Sequence, residues 1–262
     1  SGVDDTMSLC AANLPDPAID PAQNEEPADH FNTVLYTGNG SSRSITGVGF
    51  SPDLIWFKAR SGAIAHLLYD SVRGATKYLQ SNSTSAEGTE SNSQTSFDSD
   101  GFSLGSDSTT GVNQNSTTYV AWNWLAGGFA SSNSDGGITS SVSANTEAGF
   151  SIVSYTGTGF ITTVGHGLNS APEMIIKKKK NSNQQWPTYV KGASATAGAY
   201  LLLNRDLGVA TDDSMFNNVN PTSTVFTVTD ADGDTGRSGS TYIAYCFHSV
   251  DGYSKIGSYA PN

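Results

Sequence analysis

The sequence predicts an all-β protein: two tandem, duplicated β-sandwich units of jelly-roll-like character behind an extended, proline-rich N-terminal arm. Three observations carry this. A strand followed by a glycine turn occurs at Phe31–Gly40, ending Tyr36-Thr37-Gly38-Asn39-Gly40, and recurs at Phe150–Gly159, ending Tyr155-Thr156-Gly157-Thr158-Gly159. Charged residues are only 14% of the 262, and Gly, Ser, Thr and Asn take their place, a mixture that suits tight turns and disfavours long helices. Finally, the stretches 119–124 and 242–247 alternate with period two, as half-buried strands do.

Residues 1–29 read as the arm. Pro15, Pro17, Pro21 and Pro27 punctuate it, and proline at that density forbids a regular helix and removes sheet donors. It is expected to lie extended on a neighbouring surface or to be mobile. The first unit is assigned to residues 30–148 and the second to 149–262. The landmarks of the two match at a spacing of roughly 120 residues: Pro52-Asp53 with Pro172-Glu173, Tyr69 with Tyr189, Tyr78-Leu79 with Tyr200-Leu201, Phe102 with Phe226, and Tyr119 with Tyr242. A shortened echo, Gly252–Tyr259, is expected to begin the strand again.

Each proline–acid pair opens a strand. Leu54–Phe57 and Met174–Ile176 are apolar without alternation, as in strands covered on both faces. In the last strand of each unit, Val120, Trp122 and Trp124 share a bulky face with its counterpart Ile243, Tyr245 and Phe247. That face is expected to pack on the second sheet of its own sandwich. The polar stretches Ser81–Ser96 and Ser131–Asn145 read as loops, hairpin tips or crossovers, and Asp70–Tyr78 as a single helical turn weakened by Gly74.

A net charge of −11 repels phosphate backbones and argues against nucleic acid and against a polybasic membrane contact. No apolar run reaches the roughly 20 residues that span a bilayer. The two cysteines, Cys10 and Cys246, do not make a disulfide framework, and Cys246 reads as a small buried apolar residue. The chain opens Ser1-Gly2-Val3, which suggests a processed piece or part of something longer.

No HExxH, phosphate-binding glycine loop, CxxC pair or Gly-x-Ser-x-Gly elbow occurs, and the four histidines do not recur at matching positions, so no catalytic residue and no cofactor is expected. Asp230, Asp232 and Asp234 alternate like the start of a calcium loop, but Thr241 stands where a closing glutamate is needed, and a solvated hairpin tip is the simpler reading. Lys177–Lys180 is the only basic cluster. It reads as a strand end whose lysines alternate between faces, either guarding an edge against pairing or forming an anionic-ligand patch, with the guard favoured. Trp186 and Tyr189 are candidates to stack on a sugar ring, Trp186 being the better exposed of the tryptophans although packing is its default reading, whereas Trp122 and Trp124 read as core. Asn39, Asn82 and Asn115 fit the glycosylation sequon, as chance allows in so Ser/Thr-rich a chain.

Several longer motifs stand out: Leu9–Ile19, Tyr36–Gly40, Phe50–Trp56, Asp70-Ser71-Val72-Arg73-Gly74, Ser96–Phe102 and Ala121–Trp124, then Gly149–Gly157, Gly165–Leu168 and Tyr245–Lys255. Together they resemble a repeated domain of unknown function found in marine bacteriophage tail-fibre and virion proteins. The resemblance implies a non-enzymatic virion protein on the tail or capsid surface. The first expectation is a tail-fibre or adhesin module recognising host-surface polysaccharide. The alternative is a structural protein such as a capsid decoration or fibre spacer. Other virion proteins are the implied partners, and a homo-oligomer, with a trimer favoured, is the implied assembly. A depolymerase would need a carboxylate pair on matching strands, which the sequence does not display.

Overall fold

The computed structural model describes residues 16–107, 110–230 and 235–258. Among them the chain is all-β, with eighteen strands and two single 3-10 turns, at Pro21–Gln23 and Pro27–Asp29. The first half contains β1 (Phe31–Thr37), β2 (Arg43–Thr46), β3 (Leu54–Ala59), β4 (Leu67–Asp70), β5 (Lys77–Gln80), β6 (Gly88–Thr89), β7 (Gln94–Asp98), β8 (Gly101–Leu104) and β9 (Thr118–Trp124). The second contains β10 (Ser131–Asn133), β11 (Ser140–Asn145), β12 (Phe150–Thr156), β13 (Thr162–Gly165), β14 (Met174–Lys179), β15 (Pro187–Val190), β16 (Tyr200–Leu202), β17 (Val225–Val228) and β18 (Thr241–Phe247).

These strands form four antiparallel sheets. A six-stranded sheet runs β1-β9-β3-β4-β5-β6 and a seven-stranded sheet runs β10-β11-β12-β18-β14-β15-β16. Smaller sheets, β2-β8-β7 and β13-β17, cover one face of each. Strands matched by sequence landmark therefore occupy the same order in both large sheets, β1-β9-β3-β4-β5 and β12-β18-β14-β15-β16.

The glycine turn that marks each half has a physical cause in both of its glycines. A Cβ on Gly38 would stand 2.2 Å from the carbonyl oxygen of Gln114, and one on Gly157 2.4 Å from that of Arg237. The second glycines, Gly40 and Gly159, hold φ of +66° and +83°, which L side chains rarely adopt. The amides of Gly38 and Gly157 donate to Thr117 and Ser240, fastening the strand end to the entry of β9 or β18. Because backbone rather than a flexible side chain blocks the Cβ, Gly38→Ala should destabilise by about 2 kcal/mol or more. A urea titration of the variant measures this.

Behind each turn sits the same aromatic pair. Tyr36 lies opposite Tyr119 and stacks on it at 4.9 Å, and Tyr155 lies opposite Tyr242 and stacks at 5.1 Å. The hydroxyls of Tyr36 and Tyr155 donate to the carbonyls of Val112 and Thr235 at 2.6 and 2.8 Å, so both buried hydroxyls are satisfied. These tyrosines belong to the core between each large sheet and its small cover. In the first half Ile55, Phe57, Tyr69, Ala121 and Phe102 join them, and in the second Ile175, Tyr189, Ala244, Cys246 and Phe226. Cys246 is fully buried, as its apolar reading required, and burial pushes its thiol up to about 12.

The packing of the bulky face differs from expectation. It does not meet the small sheet of its own half. Leu54, Leu68, Leu79 and Ala126 pack against Phe150, Ile152, Ile176, Trp186, Ile243 and Tyr245, so the two large sheets bury these faces on one another. The chain thus has four layers, with the seam between halves as its middle core. Alternation reports that a face is buried but not what buries it.

The division between halves also moves. Residues 131–145, read as loop within the first unit, form the β10–β11 hairpin and join the second sheet, Val142 lying opposite Val153. The assigned boundary at 148 is therefore late, since the structural one falls between Trp124 and Ser131. Part of 81–96 is strand too, as β6 and the start of β7. In the closing echo, the described residues 252–258 form no strand; a tight turn with a Val250–Ser254 bridge stands there instead. The arm from residue 16 packs on that turn: Ile19 is buried and donates its amide to Asp251, and a Cβ on Gly252 would stand 2.4 Å from the Ile19 carbonyl oxygen. Pro21 and Pro27 each open one 3-10 turn, where a missing N–H costs nothing.

The proline–acid pairs act as clamps. Asp53 accepts from the Ser71 hydroxyl at 2.6 Å and from the amides of Ala126 and Gly128. Glu173 accepts from Lys191 at 2.8 Å and from the amide and hydroxyl of Ser249. Burial opposes the charge of Glu173, but the Lys191 and Ser249 bonds outweigh it and hold the carboxyl down at about 2. With the folded value below the unfolded 4.5, its contribution is complete above pH 4.5 and disappears as pH falls towards 2. Thermal melts at pH 5 and pH 2.5 should therefore show a smaller acid loss for Glu173→Gln than for the natural chain. Some loss should remain, because Ser214 and Tyr200 likewise hold Asp212 low.

Candidate functional site

The seam between the large sheets gathers the polar groups that β-sheet physics leaves for special use. At one side, Asp70 ends β4 with its side chain fully buried. It accepts from Arg73 Nε at 2.5 Å, from the Arg73 amide at 2.8 Å and from the Tyr245 hydroxyl at 2.7 Å across the seam. The remaining Arg73 nitrogens reach the Leu68 and Lys77 carbonyls and Glu87. Burial opposes the guanidinium charge, but Asp70, Tyr245 and Glu87 outweigh it and keep it firmly protonated. The Asp-Ser-Val-Arg-Gly motif is thus a buried ion pair in a turn, locking one half to the other.

Beside it, Trp186 enters the first half. Its indole N–H is shared between the carbonyls of Gln80 and Ser83, at 3.0 and 2.9 Å. Lys178 lies over the same ring, 5.9 Å from its centroid, and donates to Thr84 and Gln184 at 2.9 and 2.7 Å. Main-chain bonds from Glu87 to Lys180 and from Gln184 to Thr84 complete the closure.

These contacts correct two expectations. Trp186 is fully buried and Tyr189 is 5% exposed, so neither offers a face to a ligand. Tyr189 instead packs on Phe216 inside the second half, its hydroxyl towards Asn220. Lys177–Lys180 are not a strand-edge guard or a surface patch, because β14 is an inner strand between β18 and β15. The lysines do alternate: Lys177 turns into its own half, 3.5 Å over Phe216 and bonded to the Met215 carbonyl, while Lys178 turns to the seam. Their aliphatic stems are core and their ammonium ends meet main-chain carbonyls. Of the aspartates, Asp230 is exposed, and Asp232 and Asp234 lie outside the described residues. Among the described residues no group of three metal-ligating side chains comes together.

The open space is elsewhere on the seam, at Trp56. Its indole lines an apolar cavity of about 220 Å³ with Leu54, Trp124, Phe150, Met174 and Phe247, bordered by Tyr253 and Ile256 of the C-terminal turn. Trp56 also walls a separate cleft of about 420 Å³, open to solvent, which His66, Ser81 and Asn82 share with Leu203, Asn204, Arg205 and Asp206. Trp56 meets Trp122 edge-on at 6.4 Å, and both are half-buried. The Trp56 indole N–H is buried without an acceptor among the described residues. Burial, with the Lys58 ammonium nearby, lowers the pKa of His66, leaving it a neutral ring that can both donate and accept at pH 7. Sequence reasoning missed this cleft because its two walls are far apart in the chain. Only the landmark Tyr78-Leu79 with Tyr200-Leu201, which three residues on sets Asn82 against Asn204, hinted at it.

The fold and the seam define a four-layer all-β protein with a polar, tryptophan-walled cleft between its halves. The chain belongs to the family described as Domain of unknown function (DUF7483), whose model matches residues 26–262. No curated protein and no solved structure matches it. No helix among the described residues is long and apolar enough to cross a membrane.

Proposed function

We propose that the protein is a non-enzymatic virion-surface protein, a tail-fibre or adhesin module that presents a rigid double-sheet body for attachment to host-surface polysaccharide. The observation that supports this is the cleft at Trp56: an aromatic wall among Asn, Arg, Asp and His side chains, on a scaffold locked by buried bonds across the seam. A stiff scaffold with polar loops suits recognition. The resemblance to phage tail-fibre and virion repeats supplies the biological setting, with other virion proteins and further copies of the chain as partners and a trimer as the assembly.

A second reading, a capsid decoration or fibre spacer, is favoured by the apolar tips Phe129, Phe160 and Ile161, which are 104%, 74% and 62% exposed. Such residues suit permanent contacts with other subunits. Gold-labelled antibody against the chain on intact particles separates the readings. Label at tail or fibre tips is expected for the adhesin, whereas label spread over the head overturns it in favour of decoration. Absence of label from particles refutes both.

A further inference from the structure

We propose that the cleft at His66 is a carbohydrate subsite accepting one pyranose ring of a surface glycan. This rests on the adhesin reading and adds to it the unit recognised, a single ring, and the socket that receives it. The argument comes from a comparison of the two sides of the seam. On the closed side, the Trp186 amide bonds Asn204 Oδ1 at 3.1 Å, and its indole is received by a turn whose Ser83 amide closes on Gln80 at 3.2 Å. On the open side the framework is the same. The His66 amide bonds Asn82 Oδ1 at 3.0 Å, and across the seam the Arg205 amide closes a turn on Leu202 at 2.9 Å. The Ser81 amide bonds the His66 carbonyl just as the Leu203 amide bonds that of Trp186, both at 3.0 Å.

What differs is the ring. Trp186 fills its socket and is fully buried, whereas the smaller His66 leaves about 420 Å³ of open cleft. The chain builds a ring-accepting socket twice and fills it once. The walls of the open one choose among rings. Trp56 supplies an aromatic surface for C–H groups. Arg205 donates only, Asp206 accepts only, and neutral His66 does both, so together they match hydroxyls, each of which is donor and acceptor. A purely aromatic ligand would leave the Arg205 and Asp206 groups without use.

The test is saturation-transfer NMR on the whole chain with methyl glucoside, methyl galactoside and N-acetylglucosamine, with indole as a comparison ligand. At least one sugar should receive transfer, and binding should weaken about tenfold or more in Asp206→Ala, a change at an exposed position. His66→Trp should abolish the transfer and raise Tm by filling the socket. No transfer to any of the three sugars, equal transfer in both variants, or binding of indole alone overturns the proposal. Attachment to polysaccharide-coated bacteria, measured in parallel, keeps the two readings apart. Equal attachment by the natural chain and Asp206→Ala refutes the subsite and leaves the adhesin standing. Failure of the natural chain to attach refutes both.

Discussion

Asp70→Ala should destabilise the protein by about 3–5 kcal/mol, the cost of leaving a buried guanidinium with only its longer contact to the partly exposed Glu87. Arg73 has its side chain 1% exposed and would keep a positive charge facing the Tyr245 hydroxyl across the seam. The loss is larger than for a surface pair because solvent cannot screen the abandoned guanidinium. Replacing both residues, Asp70→Leu with Arg73→Met, should cost less than the single change, since apolar groups need no compensation. Tyr245→Phe, which removes one bond to the carboxylate, should cost about 1.5–3 kcal/mol. Urea titrations of the four proteins measure these differences. A single Asp70→Ala loss under 1 kcal/mol would mean that the pair is not closed to water.

Trp186→Ala should cost about 3–5 kcal/mol as well, through a different mechanism. The indole is the largest fully buried side chain, and it belongs to the seam core that includes Leu54, Leu68, Leu79 and Ile176. Truncation opens a cavity and withdraws the donor shared by Gln80 and Ser83. It also removes the ring beneath Lys178. Trp186→Phe should recover much of the packing but not the hydrogen bonds, so its loss should fall between alanine and the natural residue. Because Trp186 belongs to one half and its socket to the other, the change should weaken both halves together. Hydrogen exchange would show this as faster exchange in β4 and β5 as well as in β15.

The strands and their turns were legible because they depend on local rules. Glycines that no side chain can replace mark Gly38 and Gly157, period two marks β9 and β18, and a proline–acid pair precedes β3 and β14. What lies across a face was not legible. Trp122-x-Trp124 and Tyr245-x-Phe247 announce a buried side, yet the same pattern serves a cover sheet or a second half equally well. The four lysines misled because charge in sequence suggests solvent, while the energetics depend on whether a stem finds apolar neighbours and an ammonium finds carbonyls, as Lys177 and Lys178 both do. The β10–β11 hairpin was hidden by serine: Ser140 and Ser143 are buried in the structure despite a composition that reads as loop. The cleft was hardest, since its walls meet only after the seam closes, and the socket of Trp186, which explains it, is built from residues far apart in the chain.

The most direct test of the central claim, that the two halves form one body through their seam, is equilibrium unfolding in urea combined with residue-resolved hydrogen exchange. The slowest amides of β9 and β18 should open with the same free energy, in a single transition shared by both halves. Two separate transitions, with β18 losing protection while β9 keeps it, would contradict the account and return the protein to two beads on one chain.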